Sequence, residues 1–188
     1  MTVFTDLLRT ALFAVLVQNL IFTSAYGISE AIRIAKRPRH FFMTFSSVTA
    51  FSLFISVSAF FLDRIPLFQN LSMNFRFFFY VLILTGAYFI AALIFRKFFS
   101  ADKKFLNSLG MCAVNTLIVA LPLFSYLSSL TLFEAVGMGL GAGLAFAFSA
   151  VLINGGMKFI SKNRLIPEIF KGTPALLIYT AVLALILS

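Results

Sequence analysis

Residues 96–104 read Arg-Lys-Phe-Phe-Ser-Ala-Asp-Lys-Lys, and this charged stretch divides an otherwise apolar chain of 188 residues into two halves. Two other gaps between apolar runs are similarly basic: Arg33, Lys36, Arg37 and Arg39 in the first half, and Lys158, Lys162, Arg164 and Lys171 in the second. The gaps between these hold only Arg64 and Arg76, or no base. Such alternation is typical of an integral membrane protein whose odd-numbered loops face the cytoplasm.

The composition supports a membrane protein. The chain is 61% hydrophobic and its mean hydropathy is +1.04, well above the range of soluble domains. Crossing a bilayer takes about 20 apolar residues. Six runs approach or reach that length: 5–26, 41–62, 77–95, 105–127, 133–157 and 166–187. We therefore predict an all-α integral membrane protein with six transmembrane helices, forming a single membrane domain over residues 1–188.

The basic connections also predict an orientation. If loops 1–2, 3–4 and 5–6 face the cytoplasm, both termini lie outside, in a multi-pass protein of the bacterial cytoplasmic (inner) membrane. We expect residues 1–26 to be a retained first span rather than a cleaved signal peptide. Asp6 and Arg9 stand where a purely basic region would be, and Gln18 and Asn19 interrupt the apolar run.

The two halves, 1–98 and 99–188, would each contain three spans. Because three is odd, the second half would enter the membrane from the opposite side, as in the inverted repeats of many transport proteins. A short internal similarity agrees with this, since Gln18-Asn19-Leu20-Ile21 in span 1 resembles Asn115-Thr116-Leu117-Ile118 in span 4. We predict an inverted 3+3 repeat.

Charge and cysteine content exclude several classes of protein. A net charge of +9 would suggest nucleic-acid binding in a soluble protein, but here the bases lie at the ends of apolar runs. Anionic lipid headgroups explain them better than nucleic acid does. The single cysteine, Cys112, cannot form an intrachain disulfide or supply a four-thiolate metal site. We identify no catalytic residue and no metal site.

Polar residues within spans 1 and 4 form the candidate polar centre: Gln18, Asn19, Asn115 and Thr116. Such side chains serve either as hydrogen-bonding links between helices or as the lining of a shared centre where the two spans meet. The nearby segment 26–30, Tyr-Gly-Ile-Ser-Glu, is a place where a helix could break. Other polar residues near span ends are expected to be interfacial anchors: Arg9, His40, Asp63, Arg64 and Glu134.

Glycine and proline mark the last two spans. Gly137/Gly141 and Gly139/Gly143 have the four-residue spacing that lets helices approach closely, and a hinge or a cofactor slot are the alternatives. Pro174 lies one turn inside span 6. Either this helix is kinked at Pro174 or its first turn lies in the membrane interface.

The opening of the chain contains Leu16-Val17-Gln18-Asn19-Leu20-Ile21, then Gly27-Ile28 and Lys36-Arg37. These residues resemble the opening of the A-type membrane subunit of the Rnf electron-transport complex. The E subunit of the sodium-pumping NADH:quinone reductase, Nqr, is a close relative of that subunit. In this family the opening reads Leu-Val-Asn-Asn, then Gly-x-Cys-Pro, then a basic pair.

The second half resembles the same family at Ser108-Leu109-Gly110-Met111, at the glycine-rich stretch 133–143, and at Ile166-Pro167-Glu168 and Phe170-Lys171-Gly172. The similarity is collinear over essentially the whole chain. It implies six spans, an inverted 3+3 repeat and both termini outside.

The chain departs from the family at the cluster ligands. Family members place one cysteine in Gly-x-Cys-Pro and one in span 4, and two paired subunits thereby bind an iron–sulfur centre. Here those positions are Ser29 and Ala120, and Cys112 lies eight residues before Ala120. Neither serine nor alanine supplies a thiolate. We therefore expect no cofactor to be bound by this chain alone, while the wider complex, by resemblance, carries iron–sulfur and flavin groups.

The expected function is that of a membrane subunit of an Rnf/Nqr-type ion-translocating electron-transport complex. It would be a non-catalytic or accessory subunit, serving as scaffold or ion path, and would pair with a homologous six-span membrane subunit. A divergent paralogue in another electron-export system is a related possibility. The alternatives are a six-span substrate-binding component of a vitamin or metal uptake transporter, and a purely structural membrane subunit.

Overall fold

The computed structural model describes residues 2–128, 130–169 and 171–187, and this part of the chain is helical without a strand. The helices are α1 (Thr2–Leu16), α2 (Leu20–Thr23), α3 (Ile28–Ala35), α4 (Phe41–Leu62), α5 (Pro66–Gln69), α6 (Met73–Phe99), α7 (Lys103–Ala113), α8 (Thr116–Leu127), α9 (Leu132–Lys162) and α10 (Thr173–Leu187). A 3-10 turn, Pro38–His40, precedes α4. Phe170, part of the family resemblance, lies outside the described residues.

Within the described residues, five segments are long and apolar enough to cross a membrane, as expected of a membrane protein: Val3–Thr23, Phe41–Leu62, Met73–Phe99, Lys103–Leu127 and Leu132–Lys162. The second segment has the predicted bounds, 41–62. The third and fifth are longer than the predicted runs 77–95 and 133–157. The predicted first and fourth spans are not continuous helices. Span 1 is divided between α1 and α2, and span 4 between α7 and α8.

The last apolar helix is shorter than predicted. Helix α10 begins at Thr173, so Pro174 lies in its first turn, where proline is tolerated, and does not kink the helix. The segment preceding it exposes Glu168. The 15 residues of α10 rise about 22 Å, less than the roughly 30 Å of a bilayer core.

Helix α9 occupies the centre of the molecule. It packs along α1 on one side and along α4 on another, and it also touches α3, α8 and α10. Its buried positions are mostly small residues, with Phe146 and Ile153 as fully buried larger ones. By contrast, α6 is buried at only Arg76, Tyr80 and Leu84. The core therefore lies around α9, and α6 lies at the periphery.

Gly137 and Gly141 bring α9 against α1. A Cβ atom added at Gly137 would lie 2.5 Å from the carbonyl oxygen of Leu7, and one at Gly141 would lie 2.8 Å from that of Ala11. Both distances are shorter than van der Waals contact, and both involve backbone atoms that cannot rotate away. These glycines therefore set the separation of the two helices.

Gly139 and Gly143 face α4 instead. A Cβ at Gly139 would lie 2.7 Å from the Cα atom of Leu53, and one at Gly143 would overlap the side chain of Thr49. The two glycine pairs thus serve two different helix contacts. Of the interpretations that the sequence left open, close helix packing is the one that this geometry supports.

We expect Gly141→Ala to destabilise the protein by about 1–3 kcal/mol, because its methyl group must displace the backbone of α1. Gly155→Ala is the matched control, since a Cβ there meets no atom within 4 Å. Thermal unfolding of the purified chain in detergent measures both. Equal melting temperatures for the two variants would contradict the close contact.

Candidate functional site

The first helix break, residues 17–19, separates α1 from α2. Asn19 has an extended backbone, and its side-chain oxygen accepts a hydrogen bond from the backbone N–H of Ile21 at 3.2 Å. Asparagine is favoured at this position because its oxygen replaces a missing backbone acceptor in the first turn. Gln18, the preceding residue, ends α1 by donating its backbone N–H to the carbonyl oxygen of Phe13.

The second helix break, residues 114–115, separates α7 from α8 in the same way. The side-chain oxygen of Asn115 accepts a hydrogen bond from the backbone N–H of Leu117 at 3.1 Å. Asn19 and Asn115 therefore have equivalent roles. This equivalence corrects the sequence comparison, which matched the Leu-Ile pairs and so aligned Asn115 with Gln18.

Gly27 packs against the second break. It adopts a left-handed conformation, φ +78°, at the start of α3, so the helix break predicted within 26–30 is present at Tyr26 and Gly27, whereas residues 28–30 belong to α3. Its backbone N–H donates to the hydroxyl oxygen of Thr116 at 2.8 Å. A Cβ at this position would lie 2.9 Å from the side-chain oxygen of Asn115. Glycine is needed here for its backbone conformation and also because Asn115 is so close.

The four predicted polar residues are brought together only in part. Asn115 and Thr116 both meet Gly27, whereas Gln18 lines a narrow seam with Leu117 that has no room for water. Asn19 points to α9 instead. Its amide nitrogen lies 3.2 Å from the hydroxyl of Ser149 and 3.3 Å from the carbonyl oxygen of Val15. Asn19 is therefore a link between helices, the first of the two interpretations made from sequence.

Several buried polar atoms lack hydrogen-bond partners within the described ranges: Thr44 Oγ1, Ser52 Oγ, Arg76 Nη1 and Asn115 Nδ2. Thr44 and Ser52 are fully buried on α4, and they share one face of it with Ser56, since four-residue steps return to the same side of a helix. The Ser56 hydroxyl donates to the carbonyl oxygen of Ala135 at 2.7 Å. Unpaired buried groups of this kind usually bind water or a ligand.

The stripe of hydroxyl groups connects two cavities. Thr44 lines a cleft of about 460 Å³ at the end of the molecule that carries the 3-10 turn. At the other end, Ser56 lies 3.5 Å from the hydroxyl of Ser125, which lines a cavity of about 230 Å³. Polar side chains therefore extend along α4 from one cavity to the other, interrupted by the buried Val48.

A buried ionic cluster closes the end near the smaller cavity. Arg76 is 3% exposed, and its Nε donates to the carbonyl oxygen of Leu71 at 3.1 Å. Its Nη1 lies 3.9 Å from a carboxylate oxygen of Asp63, which also accepts a 2.6 Å hydrogen bond from the hydroxyl of Tyr80. Burial raises the pKa of Asp63, while Tyr80 and Arg76 oppose that shift. The cluster holds the connection between α4 and α6.

Sequence reasoning missed this cluster. Asp63 and Arg64 were expected to be interfacial anchors, and Arg64 is exposed, stacking on the ring of Phe60. Asp63 is instead part of the ionic cluster. The sequence did contain a signal for it. Arg76 and Tyr80 are four residues apart at the start of an apolar run, and Asp63 directly follows the predicted span 41–62.

The positions that hold the cluster cysteines in the resembling family do not fit an iron–sulfur group. Ser29 is exposed on α3, Ala120 is buried on α8, and Cys112 is buried on α7. Ser29 and Ala120 offer no thiolate. Across residues 2–128, 130–169 and 171–187, no three His, Cys, Asp or Glu side chains are grouped to hold a metal ion.

No family model and no curated protein matches this sequence.

We expect Asn19→Leu to lower stability by about 1–3 kcal/mol, because it leaves the N–H of Ile21 and the hydroxyl of Ser149 without their partner. Ser149→Ala should cost less, since the cap on Ile21 remains. Asn107→Leu is the matched control because Asn107 is exposed. Thermal unfolding in detergent compares the three, and a melting temperature for Asn19→Leu equal to that of the control would contradict the capping role.

Proposed function

We propose that this chain is a membrane subunit of an Rnf/Nqr-type ion-translocating electron-transport complex, acting as scaffold or ion path. The observation that carries the proposal is the pair of equivalent helix breaks at Asn19 and Asn115. Discontinuous helices in corresponding positions of two halves are the usual basis of an ion or substrate site in transport proteins. The resemblance of the flanking residues to the A-type subunit supports the choice of this family.

An inverted repeat accounts for the packing. A two-fold axis would exchange spans 1 and 4, 2 and 5, and 3 and 6. Helix α1 packs on α9. The axis would convert this contact into one between span 4, made of α7 and α8, and α4, and that contact is also present. Likewise α6 packs on α7 and α8, and α10 packs on α2. Helices α4 and α9 pack on each other, as two elements exchanged by such an axis can.

The chain positions agree with the same repeat. Aligning Asn19 with Asn115 without gaps places α4 over residues 137–158, inside α9. The same alignment places the start of α6 over residue 169, so that α10 falls within the range matched to α6. We therefore propose that α10, although short, is the sixth crossing of the membrane.

Charge sets the proposed orientation. Most of the Lys and Arg side chains lie in or next to the 3-10 turn, at the facing ends of α6 and α7, and from the end of α9 to the start of α10. These ends would face the cytoplasm of a bacterium, with both termini outside the inner membrane. For an even number of spans, both termini must lie on the same side.

Reporter fusions test this topology. Alkaline phosphatase, which is active only outside, should be active when fused to the C-terminus of the full chain. Green fluorescent protein, which is fluorescent only inside, should be fluorescent when fused after Asp102. A fluorescent C-terminal fusion with an inactive phosphatase fusion would contradict the six-span orientation.

The proposed role does not include electron transfer by this chain, because Ser29 and Ala120 replace the ligands of the family. The hydroxyl stripe of α4 supports an ion path. It places Thr44, Ser52 and Ser56 between the two cavities. The hydroxyl oxygens of Thr44 and Ser52, which have no partner among the described residues, can coordinate water or a cation.

The uptake alternative is less well supported. A vitamin-sized ligand needs a cavity of roughly 300–1,000 Å³. The cavity lined by Asp63 and Ser125, at the end proposed to face outward, measures about 230 Å³, and the larger one along α1 is an open, apolar surface groove.

Purification of the tagged, full-length chain from its native membrane tests the complex. We expect a homologous six-span subunit and flavin-carrying or iron–sulfur subunits to co-purify. The chain separated from its partners should hold no iron, whereas Ser29→Cys/Ala120→Cys, purified with its partners, should raise the iron content of the assembly. Ser29→Ala/Ala120→Ser is the matched control for that double variant.

Two results would contradict the proposal. Stoichiometric iron in the separated, unmodified chain would show that it supplies cluster ligands after all. Co-purification with an ATPase, a coupling protein and a bound vitamin would establish the uptake component instead.

A further inference from the structure

The larger cleft is a second site, distinct from the helix breaks. It lies between α3, the 3-10 turn, α4 and α7, and has a volume of about 460 Å³. Four basic or titratable side chains line it: Arg33 of α3, Arg37 of the connection that follows α3, His40 of the 3-10 turn and Lys104 of α7. Asp102 is the acidic residue in the lining. Glu30 is nearby, and it is engaged in an ion pair with Arg33.

The floor of this cleft is polar and unpaired. Thr44 is 0% exposed, and its hydroxyl oxygen has no hydrogen-bond partner within the described ranges. Asn107 and Ser108 add an amide and a hydroxyl from α7. The floor of a cleft lined by bases therefore includes a hydroxyl that is free to donate a hydrogen bond.

The N-terminus of α7 adds to the positive field. This helix begins at Lys103, and the side chain of Asp102 makes no capping hydrogen bond to it. Its first-turn N–H groups are therefore not capped by that side chain, and Lys104 of the same turn lines the cleft. Helix N-termini attract anions through these groups and through the helix dipole.

We propose that this cleft binds a phosphate group. Tetrahedral phosphate presents several oxygen atoms in different directions, which matches donors that converge from several elements. The guanidinium group of Arg37 suits phosphate in particular because it can bind two oxygens, whereas the Nε and Nη2 atoms of Arg33 already donate to Glu30. The phosphate group belongs either to the headgroup of an anionic lipid or to a soluble phosphate compound. The site is argued from its lining alone and does not depend on the proposed function.

Binding measurements on the purified full-length chain in phosphate-free detergent solution test the site. Native mass spectrometry measures binding of dioleoylphosphatidylglycerol, with dioleoylphosphatidylcholine as the zwitterionic comparison, and calorimetry measures inorganic phosphate. We expect Arg37→Gln/Lys104→Gln to weaken binding about tenfold or more, because two charge-assisted contacts are lost. Thr44→Val, which keeps the side-chain shape, should weaken it less and tests contact with the floor.

Lys158→Gln/Lys162→Gln is the matched control, since it removes the same charge from residues that do not line the cleft. We expect its affinity to stay close to that of the unmodified chain. Binding of phosphatidylglycerol alone supports a lipid headgroup, and binding of inorganic phosphate supports a soluble source. Equal weakening by the two double variants, or no binding of either probe, would overturn the proposal. Both variants change exposed residues, so unchanged melting temperatures verify that each is folded.

Discussion

Every backbone N–H and C=O group at membrane depth must find a partner within the protein, and the rest of this structure depends on that constraint. Two of the apolar segments are interrupted, which would leave first-turn N–H groups unpaired. Asn19 and Asn115 each solve this by accepting a hydrogen bond from the residue two positions ahead. The hydroxyl of Thr116 then accepts the N–H of Gly27. Protein groups thus satisfy these three backbone N–H groups at or beside the interruptions.

The broken helices pack against continuous ones. Helix α1 leads into the first break and lies along α9, while α7 and α8 flank the second and lie along α4. The glycines of α9 keep these contacts close, and the bond between Asn19 and Ser149 fixes the depth of the first break relative to α9. The hydroxyl of Ser56 joins α4 to α9 through the carbonyl oxygen of Ala135. The two continuous helices therefore act as a frame that holds the breaks in place.

Much of this architecture could be predicted from the sequence, because hydropathy depends on composition over about 20 residues. Helix α4 has the predicted bounds 41–62, and the break at Gly27 follows from a residue suited to positive φ. The breaks at Asn19 and Asn115 could not be located in this way. An interruption of two or three residues barely changes a hydropathy average. An asparagine within an apolar run can be a helix cap or a link between helices, and the sequence is the same in both cases. Only the backbone distinguishes these roles.

Arg76 shows why a count of bases underestimates the asymmetry of the molecule. The positive-inside rule treats each Lys or Arg as a loop charge, yet Arg76 is buried and donates to the carbonyl oxygens of Leu71 and Gln69. Of the two bases in the weakly charged gaps, only Arg64 is exposed. At the opposite end, Arg37 and Lys104 are both exposed and line the cleft. The difference in exposed positive charge between the two ends is therefore larger than the sequence count suggests. The reason is that Arg76, at the weakly charged end, is buried and holds α4 and α6 together. That inequality favours the proposed orientation more strongly than the count of bases does.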